Sequence, residues 1–264
     1  MRKLPLVFIF VFILNITFLF AQPSIVITPQ HRNIVLEEFT GIHCGYCPDG
    51  HLIAEEILAA NPDRVVLINV HAGTFAIPNI GEPDFRTIFG EDIATEMVVS
   101  GYPGGTVNRH VFPEIGNAPS MDRTLWANAS NQILPLQSPV NVGYNSTFDS
   151  ITRELTVSTE VYYTANSPVN SNFLQVALLE SHVIGFQADY TNGNQQNYDH
   201  KYILRHFFTG QWGYEISTTI QGTFFTETFT YTVPLEYDIN NCEIAIYVSE
   251  DYFEVYTGVN GPAN

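Results

Sequence analysis

The sequence predicts an α/β domain followed by an all-β antiparallel sandwich. Three observations predict it. Residues 33–134 alternate strand-like and helix-like runs. Beyond the linker-like Gln137-Ser138-Pro139, the runs VNVGYNSTF, RELTVSTEVYYT, FLQVALLESHVI, TFFTETFTYTV and CEIAIYV are rich in Thr, Val, Tyr and Phe and show no helical period. Turn clusters such as TANSPVNSN and TNGNQQN space those runs as short strands of a sandwich.

At the amino terminus, Arg2 and Lys3 precede the apolar run PLVFIFVFILNITFLFA. A basic start, an apolar centre and a small residue before Gln22-Pro23-Ser24 predict a secretory signal cut after Ala21. An uncleaved anchor is the rival reading, because the run is just long enough to span a bilayer. No cysteine ends the run, which disfavours a lipid anchor, and no later stretch is long and apolar enough to span. The expected organisation is a signal peptide at 1–21, the α/β domain at 22–137 and an immunoglobulin-like β-sandwich at 138–264. The net charge of −17 becomes −19 once Arg2 and Lys3 leave with the signal. A chain so acidic lacks the cations to bind nucleic acid by neutralising phosphates.

Within the first half, Asn33–Phe39 (NIVLEEF) has strand composition. Gly50–Ala60 places Leu52, Ile53, Ile57 and Leu58 at helical spacing, and Asn61-Pro62-Asp63 stops it. Arg64–His71 (RVVLINVH) is a continuous apolar run, the mark of a strand buried on both faces. A Gly/Pro-rich loop over 72–83 leads to a mostly helical Asp84–Val99, with Gly90 as a break. SGYPGGT then turns into a strand at Thr106–Val111, and Ser120–Leu134 reads as a closing helix capped by Ser120.

Three cysteines are too few for a disulfide scaffold of this length. Two of them, Cys44 and Cys47, stand three apart in EEFTGIHCGYCPDG, between the first strand and the first helix. Metal site, structural bridge and redox pair are all open to that spacing. His43, Cys44, Cys47 and His51, with His71, offer zinc- or copper-type ligands. At the start of a Tyr46–Ala60 helix, unpaired backbone N–H groups and the dipole favour a thiolate at Cys44. Cys47 lies one turn on, and Pro48 sits in the first turn, where its missing N–H costs little. Cys242, in a strand-like run, reads as a buried free thiol. His200, in YDHKYILRHF, reads as part of a segment that packs the sandwich, and Trp212 as a corner anchor between Gly210 and Gly213.

The strand–CxxC–helix order with a later turn proline resembles the thioredoxin pattern, and EFTGIHCGYC is similar to the corresponding stretch of protein disulfide isomerases. The resemblance implies a thioredoxin-like fold for the first half. It also implies a Cys44–Cys47 disulfide in which Cys44 is the nucleophile and Cys47 resolves, with Glu38 as the buried carboxylate that moves the proton. Pro103 matches the family's cis-proline, so Tyr102 and Pro103 would hold a partner's backbone, with His43 and Tyr46 flanking it. The pair Gly45-Tyr46 is that of bacterial periplasmic disulfide isomerases. His43 stands where the family usually has Trp, and Tyr102 where it has Ile or Thr.

A narrower resemblance covers most of the mature chain. EEFTGIHCGYCP, NVHAGTFAIP, DFRTIFG, GYPGGTVNR and YDHKYILRHFFTGQWG resemble the outer membrane protein 28-related family of exported Gram-negative proteins. The expected function is an exported thiol–disulfide oxidoreductase or isomerase acting on protein thiols and disulfides, without cofactor or metal. The alternative is a surface binding or adhesion protein that uses the fold as scaffold. Expected locations are periplasm, outer-membrane surface or medium, with any membrane link peripheral.

Overall fold

A computed structural model describes residues 25–264, so the expected signal peptide at 1–21 lies outside the described residues. In chain order the elements are β1 (Ile34–Thr40), α1 (Cys47–Ala60), β2 (Val65–His71), α2 (Gly90–Glu96), β3 (Gly104–Val107), β4 (Ser120–Asp122) and α3 (Trp126–Ile133). The second half contributes β5 (Val140–Phe148), β6 (Glu154–Tyr163), β7 (Asn172–Glu180), β8 (Val183–Gln187), β9 (Gln195–His200) and β10 (Ile203–Phe207). It ends with β11 (Tyr214–Ile216), β12 (Phe224–Thr232), β13 (Cys242–Ser249) and β14 (Val255–Pro262).

Nine strands form one mixed sheet in the order β14-β13-β7-β10-β2-β1-β3-β4, with β11 also paired to β7. β1 and β2 are parallel, joined over α1, and β3 runs antiparallel to β1. The apolar run of β2 is buried at every position, as its composition requires. Its other edge needs a hydrogen-bonding neighbour. That neighbour comes from the far half of the chain. Ile203 of β10 pairs with Asn69, whose N–H donates to the Tyr202 carbonyl at 2.7 Å and whose Nδ2 donates to the Lys201 carbonyl at 2.8 Å.

This corrects the expected fold class. The chain is mostly β, 40% strand and 16% helix, and a self-contained α/β thioredoxin-like domain followed by a separate antiparallel sandwich is not what it forms. The physical reason is the open edge of β2, which the second half completes. The segment expected to pack a sandwich, YDHKYILRHF, is instead the end of β9 and the β10 strand that makes this junction.

Alternation along the strands sorts the core into layers. On one face Val35, Phe39, Ile68, Leu179, Ala245 and Tyr247 form a continuous layer under Ile93 and Met97 at α2. The opposite face is divided. Ile34, Leu36, Val65 and Leu67 pack against α1 and α3, including Trp126. Val176, Leu178, Ile244 and Ile246 pack against Val142, Val157 and Val161 of the three-stranded sheet β12-β6-β5. Glu38 and His71 lie on the α1 side, one step along from Leu36 and two from Leu67.

Element boundaries shift in three places. The helix expected over 84–99 is confined to α2. The strand expected at 106–111 starts at Gly104 and stops at Val107, where Asn108 and Arg109 turn to positive φ. Ser120 opens β4 rather than capping a helix; Asp122 caps the 3-10 turn Arg123–Leu125 that leads into α3, accepting from the Thr124 N–H at 3.0 Å.

Candidate functional site

The CxxC loop lies between the carboxyl end of β1 and α1. Tyr46 occupies the N-cap position, Cys47 begins the helix and Pro48 follows in its first turn. A disulfide joins Cys44 to Cys47, with Cα atoms 5.4 Å apart. Both cysteines are buried, at 3% and 0% exposure. Cys242, the third, is free and buried, and burial pushes its thiol up to about 12.

What buries the disulfide comes from the second half. The loop after β8 runs along the CxxC turn: the Ala188 N–H donates to the Ile42 carbonyl at 2.7 Å and the Tyr190 N–H to the Gly45 carbonyl at 2.9 Å. Between them, Gln187 Nε2 donates to the Cys44 carbonyl at 3.0 Å. The Tyr190 ring lies so close over Gly45 that any Cβ there would overlap it. Its edge meets Tyr46, with ring centroids 5.1 Å apart. Buried Asp189 shapes the loop, accepting from the Thr191 and Asn192 N–H groups at 2.8 and 2.9 Å.

Glu38 lies behind α1. A Cβ on Gly50, one turn along from Cys47, would stand 2.5 Å from Glu38 Oε1 and 3.0 Å from Pro103. Glycine there lets the carboxyl and the proline ring reach the helix backbone. Neither Glu38 oxygen has a hydrogen-bond partner among the described residues, and burial holds its carboxyl well above the usual carboxylate range. His51, one turn past Cys47 on α1, contacts Thr40 Oγ1 at 3.0 Å through Nε2 and Tyr198 OH at 2.8 Å through Nδ1. Its Nε2 is 3.7 Å from Glu38 Oε1. Burial, then His200 and Lys201, lowers its pKa to about 3.

His71 and His200 complete this buried polar group, with ring centroids 6.0 Å apart. Burial lowers His71 well below the ordinary imidazole value and brings His200 to about 4. His51 therefore turns its nitrogens to Thr40 and Tyr198, the nitrogens of His71 have no hydrogen-bond partner among the described residues, and the sulfurs are bonded to each other.

The other expected site residues contact different neighbours. His43 Nε2 pairs with Glu82 Oε2 at 2.8 Å, and its ring faces Phe186 at 5.2 Å. Tyr46 is 55% exposed and carries the Arg123 guanidinium 5.7 Å above its ring. The Tyr102–Pro103 bond is cis. Pro103 reaches Gly50, whereas the Tyr102 ring turns to Gly73 and to Phe75, 5.9 Å away. The Phe75 carbonyl accepts from the His43 N–H at 2.9 Å, which ties the two flanks together.

Sequence reasoning missed Gln187, Tyr190 and Tyr198. Each lies about 140 residues from the motif; no local signal marks Gln187 or Tyr190, and Tyr198 opens the YDHKYILRHF run, which carries no sign of a contact with α1. His200 carried a signal, a histidine in an otherwise apolar-aromatic run, but its partners are set by the β2–β10 junction.

The arrangement defines a mostly-β protein with a capped CxxC disulfide at a helix start. The chain belongs to the outer membrane protein Omp28 family, whose model matches residues 91–259, well over half of its length. The location expected from the amino terminus (exported) and from the family resemblance (outer membrane) agrees with that family. The matched region begins after the two cysteines, so membership says nothing of the disulfide. Among solved structures the chain resembles HBP35 of Porphyromonas gingivalis, 16% identical over 88% of this chain and 75% of that one, with a TM-score of 0.66. A structural-genomics protein of Agrobacterium tumefaciens is 12% identical over 89% and 96%, at 0.52. A domain of the outer membrane lipoprotein Omp28 from Porphyromonas gingivalis is 21% identical over 47% and 86%, at 0.32. For the first two, at these identities, the likeness is one of fold alone. No curated protein matches the sequence. No helix among the described residues is long and apolar enough to cross a membrane.

Proposed function

We propose that the protein is an exported thiol–disulfide oxidoreductase or isomerase whose partners are the thiols and disulfides of other exported proteins. The observation that carries the reading is the Cys44–Cys47 bridge at the start of α1, backed one turn on by the unpartnered carboxyl of Glu38. In the dithiol form, the Cys44 thiolate attacks a partner disulfide and one partner sulfur leaves as thiolate. Cys47 gives its proton to the Glu38 carboxylate and attacks Cys44 Sγ, releasing the second partner thiolate. The partner gains two electrons, the cysteine pair loses two, and the proton of Cys47 ends on Glu38. A carboxyl pushed upward by burial is suited to keep that proton. Tyr102, Pro103, His43 and Tyr46 line the approach, and a partner must displace the Tyr190 loop to reach the sulfurs.

A second reading is favoured by that same cover: a surface binding or adhesion protein in which the bridge is structural, its sulfurs closed off by residues 187–190. The test is a redox titration of the mature chain in glutathione buffers, with Cys44→Ser as control. A bridge in equilibrium with the buffer, and exchange lost in Cys44→Ser, supports the first reading. A bridge that stays closed, with a potential below about −300 mV, refutes it and leaves the second.

A further inference from the structure

We infer that His51 and Tyr198 form a proton outlet of Glu38, the relay through which the buried carboxyl exchanges protons with solvent. As a step in thiol exchange, this rests on the redox reading above; as a property of the carboxyl, it stands alone.

Behind α1 lies an internal cavity of about 10 Å³ lined by Glu38, His51, His71, Tyr198 and His200 among others. That is roughly the least volume that holds one water molecule, ~10–15 Å³. Both oxygens of Glu38 and both ring nitrogens of His71 are buried there without a partner among the described residues. Unpaired buried polar atoms are costly, and a water in the cavity would satisfy a Glu38 oxygen. On the outer side of α1 is a groove of about 460 Å³, lined by His51, Tyr198, Glu55, Asp189 and Lys201. His51, Glu55, Tyr198, Asp199 and Lys201 line both spaces, and of these only His51 and Tyr198 join Glu38 to the groove through a continuous chain of contacts. His71 and His200 do not line the groove.

The route follows from the bonding. The 3.7 Å between Glu38 Oε1 and His51 Nε2 is too long for a direct hydrogen bond, and one water beside it closes the gap. The other ring nitrogen is already 2.8 Å from Tyr198 OH. A proton taken at Nε2 is matched by one passed from Nδ1 to the Tyr198 oxygen, whose own proton leaves to the groove. One proton leaves Glu38, one reaches solvent, and no electrons move.

The charged and titratable groups facing the route come from every neighbouring element. They are His71 on β2, His51 and Glu55 on α1, Arg123 before α3, and Tyr198, Asp199, His200 and Lys201 around the end of β9. Lys201 and Glu55 pair with each other at 2.8 Å on the groove side. The three buried imidazoles stay neutral, which leaves Glu38 as the proton store.

The test is infrared spectroscopy of the full mature chain in its disulfide form. The neutral Glu38 carbonyl band is identified by its loss in Glu38→Gln, and its deuterium exchange is timed after mixing into D₂O. Tyr198→Phe should slow that exchange by about tenfold or more, as removal of a proton-transfer group does. His51→Gln should do the same, and serves if Tyr198→Phe does not fold. Tyr202→Phe, which also lines the cavity but makes no bond to His51, should exchange at the wild-type rate. Wild-type exchange in Tyr198→Phe and His51→Gln, equal slowing in Tyr202→Phe, or no Glu38 band at all would overturn the inference. No thiol exchange enters the readout, so a bridge that resists glutathione sinks the redox reading and leaves the outlet standing.

Discussion

His51 makes the fold sensitive to acid by an amount the structure sets. Its ring is buried between α1, β1 and β9, and its pKa falls from 6.5 to about 3. The folded state therefore keeps it neutral where the unfolded chain protonates it. The sign follows from linkage: below 6.5 the unfolded state binds the extra proton, so stability is lost as pH falls from about 6.5 toward 3. At about pH 5 the unfolded imidazole lies some 1.5 units below its pKa, worth about 2 kcal/mol. The folded pKa is far enough below pH 5 that the figure depends almost wholly on the unfolded value. His200, brought to about 4 by burial, and His71, lowered in the same direction, add losses of the same sign. Glu38 acts oppositely: its raised pKa contributes stability present below the unfolded value and lost as pH rises. The clean measurement is therefore a difference. Urea unfolding of wild type and His51→Gln, each at about pH 7 and about pH 5, should show wild type losing about 2 kcal/mol more across that interval. Equal pH dependence in the two proteins would refute the buried neutral imidazole.

Three further outcomes are expected. Arg109 makes two bonds to Glu37, Nε–Oε2 at 2.7 Å and Nη2–Oε1 at 2.5 Å, and both side chains are wholly buried beside Tyr247. Arg109→Leu strands that carboxylate and should cost about 3–5 kcal/mol by urea unfolding, a loss under about 1 kcal/mol being incompatible with a closed pair. Gly45→Ala should push the Tyr190 ring aside and speed reduction of the bridge by dithiothreitol, and Tyr190→Ala should speed it without the clash; unchanged rates in both would mean the loop is no barrier. Cys242 should resist thiol reagents in the native chain and react only on unfolding, because burial both hides it and raises its pKa to about 12.

By itself the sequence determined the local parts: β1, α1 and β2 around CGYC, the cysteine spacing, a glutamate six residues upstream, a turn at Tyr102-Pro103, a buried Cys242 and strands throughout the second half. Each follows from short-range chemistry, namely alternation, the N–H groups at a helix start, or a proline's restricted geometry. The tertiary structure alone decided that these parts share one sheet. VVLINVH states that β2 is buried on both faces; it does not state which strand closes its edge. That strand is Ile203–Phe207, more than 130 positions away. The same junction carries Gln187, Tyr190 and Tyr198 onto the cysteine loop and His200 beside His71. Edge pairing depends on hydrogen-bonding groups that every residue except proline carries, so composition holds no record of the partner, and both the cover over the disulfide and the polar group behind it arise only once the sheet is assembled.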